Sequence, residues 1–159
     1  MSIIIVPVEK IEENGILIMN WRNDETTRKM SFNNELKYWD TFKDIFYNNY
    51  FNNIVPPLFA LYDNIKIGFV GFTNTNDNKC ITISINIDPI HRNKRLGKII
   101  ILKAIEYIKE HYPFITTIVA NIKSENLASI KVFNICDFKL IYTYQLNMKD
   151  ILIYEYILK

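Results

Sequence analysis

The chain has 159 residues, 49% of them hydrophobic, with a formal net charge of +2 and a pI near 8.4. These values fit one domain with a sizeable core, and they exclude a disordered polyelectrolyte and a general polyanion binder, because acidic residues are spread along the whole chain. The first apolar run, Ile3 to Val8, is short, contains Pro7 and has no basic segment before it. The expectation is therefore a cytoplasmic protein with neither a signal peptide nor a membrane span.

Taken in chain order, Ile3–Val8 reads as a first strand. Glu13–Trp21 and Leu36–Asn48 read as helices, the second because Leu36, Trp39, Phe42 and Phe46 recur at helical spacing. Asn52 to Pro57 breaks that pattern. Leu58–Tyr62 and Lys66–Thr73 then predict a hairpin around Asp63-Asn64, a pair suited to a tight turn. In the next segment Ile81, Ile83, Ile85 and Ile87 alternate with Cys80, Thr82, Ser84 and Asn86, which predicts a strand with one apolar and one mildly polar face, ended by Pro89. A helix over Leu96–His111 carries Leu96, Ile100, Ala104 and Ile108 on one stripe, beside Ile101 and Ile105. Ile115–Asn121 predicts a strand, and Ser124 or Glu125 opens a helix to about Cys136. Lys139–Gln145 and Ile151–Leu158 predict two terminal strands.

Strand, turn, helix and strand around residue 95 form a βαβ unit with parallel strands. The whole predicts one α+β domain over residues 1–159: a single mixed, mostly antiparallel sheet of about seven strands flanked by about four helices. Cys80 and Cys136 have no partners at metal spacing, so buried thiols are expected, with neither a disulfide nor a metal site. The chain is expected to be a monomer, or a homodimer paired through the edge of its last strand, with Ile153, Tyr154 and Tyr156.

The stretch HRNKRLGKII places Arg92, Lys94, Arg95 and Lys98 at the start of the Leu96 helix. The backbone already carries about half a positive charge there, and each added cation costs on the order of 0.3–1 kcal/mol. The arrangement makes sense if the native state holds an anion, on which the free N–H groups, the helix dipole and the side chains converge. Gly97, lacking a Cβ, would let the backbone come close to it. A solvated basic turn is the plainer reading. Neither a P-loop nor a GxGxxG fingerprint occurs in the chain. The four arginines, against fifteen lysines, fall in two pairs, Arg22 with Arg28 and Arg92 with Arg95. Where a lysine-rich chain keeps the planar bidentate donor, recognition of phosphate or carboxylate is indicated.

This segment resembles the coenzyme A pyrophosphate loop of the GCN5-related N-acetyltransferases, the GNAT superfamily, whose pattern is Arg/Gln-x-x-Gly-x-Gly/Ala. Here it reads Arg92-Asn93-Lys94-Arg95-Leu96-Gly97, with Arg95 in place of the first glycine. Downstream, Asn126, Ser129, Phe133 and Asp137-Phe138 are similar to the family's Asn-x-x-Ala/Ser-x-x-x-Tyr/Phe-x-x-x-Gly-Phe, with Asp137 in place of the glycine. The resemblance implies a GNAT fold, acetyl-CoA as the cofactor and transfer of acetyl to a primary amine. It places the coenzyme against Ile85 and Ile87, against Arg92, Asn93, Lys94, Arg95, Leu96, Gly97 and Lys98, and against Asn126, Ser129 and Phe133.

The run Trp21-Arg22-Asn23-Asp24, followed by Arg28, is similar to that of two subfamilies. One acetylates the 4-amino group of nucleotide-linked deoxyaminosugars, as in pseudaminic acid synthesis; the other acetylates the N-terminal amine of ribosomal proteins. This implies that Trp21, Arg22, Asn23 and Arg28 line the acceptor site. The plainer readings are a core aromatic for Trp21 and surface ion pairs of the arginines with Asp24 or Glu25. Core packing is the default for the aromatic stripe of Phe42 and Phe46, whereas Tyr50 and Phe51, past the helix, are the stacking candidates for an acceptor ring.

Acid and base are less defined. Many family members place at the position of Phe133 a tyrosine that protonates the leaving sulfur, which phenylalanine cannot do. Ser129, Tyr142, Tyr144 or water are the substitutes. Ser84 and Asn86 are too weak to deprotonate an ammonium themselves and are expected to hold a water chain. His91 reads as a solvent-facing turn residue and His111 as complementing a helix C-terminus. Three functions compete: an amino-sugar N-acetyltransferase with a small-molecule partner, which Arg22 and Arg28 favour; a protein N-terminal acetyltransferase; and a silent anion- or RNA-binding module, against which the low net charge argues.

Overall fold

The structure is a computed structural model and describes residues 2–158. Seven strands form one sheet in the order β1-β2-β3-β4-β5-β7-β6. They are β1 (Ile3–Pro7), β2 (Leu58–Tyr62), β3 (Ile65–Asn74), β4 (Cys80–Ile87), β5 (Thr117–Lys123), β6 (Lys139–Leu146) and β7 (Lys149–Ile157). All neighbours are antiparallel except β4 and β5, the two strands on either side of the crossover helix. Two hairpins close on residues in the left-handed region, Asp63-Asn64 and Asn147-Met148, as two-residue turns that match strand twist require.

Five α-helices flank the sheet: α1 (Glu12–Asn23), α2 (Glu25–Met30), α3 (Trp39–Asp44), α4 (Leu96–His111) and α5 (Leu127–Ile135). The helix α4 lays its isoleucine stripe on one face of the sheet, with Ile100, Ile101, Ala104 and Ile108 fully buried against Ile81, Ile83 and Ile118. Each such isoleucine contributes about 1.5–3 kcal/mol of burial. On the other face Ile18, Trp21, Phe42, Phe46, Phe59 and Phe69 form a separate aromatic cluster under α1 and α3. Among the described residues no helix is long and apolar enough to cross a membrane.

Several expectations are corrected. The helix expected over Leu36–Asn48 begins at Trp39 and passes after Asp44 into a π-helical stretch, Ile45–Tyr50, while Leu36 is exposed in the preceding loop. The short α2 was not expected, although Asp24 three residues before Thr27 is an N-cap signal: its carboxylate accepts from the Thr27 N–H at 3.1 Å. Cys136 is buried but Cys80 is only half-buried. The last strand is not at an edge, since β7 lies between β5 and β6, so pairing of two copies through Ile153, Tyr154 and Tyr156 has no open ladder to use.

Candidate active site

The parallel junction is short. The strands β4 and β5 pair only at Cys80–Thr82 with Thr117–Val119, although β4 runs on to Ile87 and β5 to Lys123. Beyond Thr82 the two strands diverge, leaving the β5-facing backbone edge of Ile83–Ile87 without a ladder partner. Ile85 and Ile87 turn toward the α4 face, and Ser84 and Asn86 toward the other, with Ser84 exposed. Gly71, the residue paired with Ser84, makes room for it: a Cβ there would lie 3.1 Å from the Ser84 Oγ.

The basic turn follows directly. Asn93 and Arg95 both adopt left-handed backbone, at φ 61° and 59°, and Arg95 is the N-cap of α4 without capping it through its side chain. Of the five α-helices, α2 and α5 are capped by Asp24 and Asn126, and α1 and α3 carry an acid in their first turn. Only α4 has neither. Among the described residues no side-chain cap and no first-turn acid answers its orphan N–H groups. Lys94, Arg95 and Lys98 are exposed around them, and no described carboxylate pairs with any of the three.

Arg92 differs. Its Nη2 lies 2.6 Å from both the Asp24 Oδ2 and the Thr27 Oγ1, so it is tied to the start of α2. The C-terminal end of α2 is held as well, since the Lys123 Nζ donates to the Lys29 carbonyl at 3.1 Å. With one anchor just beyond β4 and the other at the end of β5, α2 lies across the mouth of the diverging strands. Burial pushes the Asp24 pKa up, but Arg92 and the bonds from Thr27 outweigh it and hold the group below the ordinary 3.8. A depressed carboxylate pKa stabilises the fold above that value, and the contribution fades as pH falls through the lower folded pKa. An Asp24→Asn variant, which keeps a cap oxygen, is expected to melt roughly 1–4 °C below the parent at neutral pH. The gap should narrow as melts are taken below pH 3.8; a gap that holds constant in acid would show the charge to be irrelevant.

Other expected site residues are placed as follows. Gly97 is buried and its missing Cβ faces Val132 of α5 at 3.1 Å, so it serves helix packing; the expected close approach to an anion is not where that Cβ would point. Leu96 is buried in the core beside it. Asn126 caps α5, its Oδ1 accepting from the Ser129 N–H at 3.2 Å, while its amide N–H groups remain available. Phe133 is 3% exposed and packs edge-to-face on Phe138. Tyr142 is exposed on β6, two strands beyond β5 at about 4.8 Å per strand, stacked beside Tyr144. His111 stacks on Tyr107 in the last turn of α4, and His91 is half-buried.

Of the residues expected to line the acceptor site, Trp21 is buried edge-to-face against Phe59, a core residue. Tyr50 and Phe51 are not free to stack on a ligand: Tyr50 packs flat on Phe69 and accepts a hydrogen bond from Arg22, and Phe51 packs on Phe46. Neither Arg22 nor Arg28 pairs with Asp24 or Glu25. Arg28 donates instead to the Asn23 and Asn34 carbonyls. Asn23 is spent on the backbone of Lys37, fourteen residues on, a residue that sequence reasoning passed over.

The comparisons agree with this architecture. The family model described as "Acetyltransferase (GNAT) family" matches residues 17–138. No curated protein matches the chain. Among solved structures, the aminoglycoside acetyltransferase AAC(6')-Ib in complex with ribostamycin and coenzyme A superposes with a TM-score of 0.84 at 13% identity, covering 99% of this chain and 94% of that one. Spermidine N-acetyltransferase from Vibrio cholerae, in complex with CoA and spermine, gives 0.84 at 16%, covering 98% and 95%. An N-acetyltransferase from Staphylococcus aureus Mu50 gives 0.77 at 23%, covering both chains fully. At these identities the likeness speaks for the fold.

Proposed function

The chain belongs to the acetyltransferase (GNAT) family, and from that premise we propose that it acetylates the 4-amino group of a nucleotide-linked deoxyaminosugar. It is an acyltransferase acting on amines, with acetyl-CoA as the acyl donor. The observation that carries the site assignment is the uncapped, acid-free start of α4, ringed by Lys94, Arg95 and Lys98 and set beside the unpaired edge of β4. Unanswered N–H groups and free cations fit a diphosphate. Bound acetyl-CoA supplies the activated acyl group.

The chain's own residues have three tasks. The free β4 edge, through the backbone at Ile85 and Ile87, offers N–H groups to polarise the thioester carbonyl and align the pantetheine arm. Alignment of bound reactants is worth roughly 7–11 kcal/mol, which leaves modest work for acid–base groups. Ser84 and Asn86, on the face opposite α4, hold the water that takes the proton from the attacking amine. The third task is to return a proton to the coenzyme A thiolate as the C–S bond breaks; with Phe133 buried and without a hydroxyl, it falls to Ser129, the nearest hydroxyl in sequence on the same helix, or to water, since Tyr142 stands strands away.

The acceptor reading rests on Arg22 and Arg28. Kanamycin and spermine, bound by the structural neighbours, are polycations. A wall with two arginines that have no carboxylate partner among the described residues repels such acceptors and suits an anionic one. The test is thiol release from acetyl-CoA with UDP- and dTDP-linked 4-amino sugars, set against N-terminal peptides and spermine. Turnover is expected with a nucleotide sugar and suppressed by salt; preference for peptides would move the assignment to the ribosomal-protein type.

A further inference from the structure

We propose that Lys37 joins Arg22 and Arg28 in a subsite for the acceptor's diphosphate, an inference that rests on the nucleotide-linked reading above. The three cations are gathered around one residue, Asn23, through its side chain, its backbone carbonyl and its place in the chain. The Asn23 Oδ1 accepts the Lys37 N–H at 2.7 Å and its Nδ2 donates to the Lys37 carbonyl at 2.8 Å, so both backbone groups of that loop residue are clamped to the end of α1. Arg22 is the neighbour of Asn23 in the chain, and the Arg28 Nε donates to the Asn23 carbonyl at 3.1 Å. The clamp fixes the backbone of this half-buried loop lysine at the end of α1, near both arginines.

Among the described residues no carboxylate forms an ion pair with any of the three. Asp24, two residues from Arg22, is committed to Arg92, and the other ion pairs among the described residues lie elsewhere, Lys103 with Glu106 and Lys149 with Glu125. The Lys37 Nζ donates at 3.3 Å to the backbone carbonyl of Glu35, whose own carboxylate is exposed. Burial lowers the pKa of Lys37, and Arg22 and Arg28 lower it further, with Glu35 opposing. Three cations held together at mutual cost are relieved by a ligand with two negative charges; Arg22 spends one donor on Tyr50 and Arg28 two on the Asn23 and Asn34 carbonyls, and the N–H groups left over, with the Lys37 ammonium, suit phosphate oxygens.

The probe is UDP or dTDP, titrated into protein already saturated with coenzyme A so that the α4 turn cannot take it. Fluorescence reports binding, since Trp21 and Trp39 are the only tryptophans and flank the cluster in sequence. Lys37→Gln, which leaves the backbone clamp intact, is expected to weaken binding about ten- to hundredfold, while Lys37→Arg stays close to the parent. Lys37→Met supplies the same comparison should the glutamine variant fail to fold. Equal affinity of the parent and the neutral variants overturns the subsite and leaves the nucleotide reading standing. If neither UDP nor dTDP binds the coenzyme-saturated parent, the subsite and the nucleotide reading both fall.

Discussion

An Arg92→Ala, Arg95→Ala double variant is expected to lose the rise in melting temperature that millimolar acetyl-CoA gives the parent. A charge-assisted hydrogen bond contributes about 1.5–3 kcal/mol, so each arginine that meets a phosphate is worth roughly ten- to hundredfold in affinity. The two are not equivalent. Arg95 is exposed and has no ion-pair partner among the described residues, whereas Arg92 is bonded to Asp24 and Thr27. Arg95→Ala alone should therefore account for most of the lost affinity, and Arg92→Ala should also lower the melting temperature of the free protein. The most discriminating single change is Arg95→Gly. Left-handed backbone costs a non-glycine residue about 1–2 kcal/mol, and glycine's greater freedom when unfolded returns about 0.5–1 kcal/mol of that. The variant should bind acetyl-CoA more weakly while melting at or above the parent's temperature. A parent that shows no shift, or a double variant that retains it, would remove the coenzyme from this turn.

Gly15→Ala is expected to destabilise the fold by about 1–2 kcal/mol, against the direction that helix propensity gives. In a helix interior alanine is favoured over glycine by about 0.8–1.0 kcal/mol. Here a Cβ would stand 2.7 Å from ring carbons of both Phe46 and Trp39. Phe46 is fully buried, and Trp39 is held at its indole N–H, which donates to Glu12 at 2.8 Å, so neither ring can swing away freely. Overpacking of about 1–3 kcal/mol exceeds the propensity gain, and melting should fall by roughly 3–6 °C. Trp39→Phe in the same chain removes the crowding six-membered ring edge and should recover part of the loss. A Gly15→Ala protein that melts higher than the parent would sink the packing account.

Where local pattern dictates structure, the sequence was readable. The alternation of Ile81 to Ile87 and the stripe of Leu96 to Ile108 each bury one face by period alone, and both lie where that period puts them. The family pattern was readable even through its departures. Arg95 and Asp137 stand where the pattern has glycine, and both adopt positive φ, 59° and 67°, so the backbone keeps the shape after the glycine is gone. The Phe138 N–H still reaches the Phe133 carbonyl at 3.1 Å to close the end of α5.

What escaped were partners far apart in the chain. The Asn23 clamp on Lys37 and the Arg92 bond to Asp24 join residues 14 and 68 positions apart, and no periodicity announces them. The π-helical stretch was missed because the aromatic spacing of Phe42 and Phe46 is satisfied by an ordinary turn before the winding loosens. Tyr50 looked available because it follows the expected helix end; the extra stretch carries it inward onto Phe69.

The helix α2 has six residues and buries none of them. Nothing oily glues it down. Its seat over the opening depends on a charged clasp at one end and a lysine's grip on a carbonyl at the other. Attractions of that sort weaken as electrolyte thickens around them, whereas the isoleucine layer beneath α4 does not feel it. Ionic strength thus becomes a dial on how firmly the roof is latched, separate from the durability of the building.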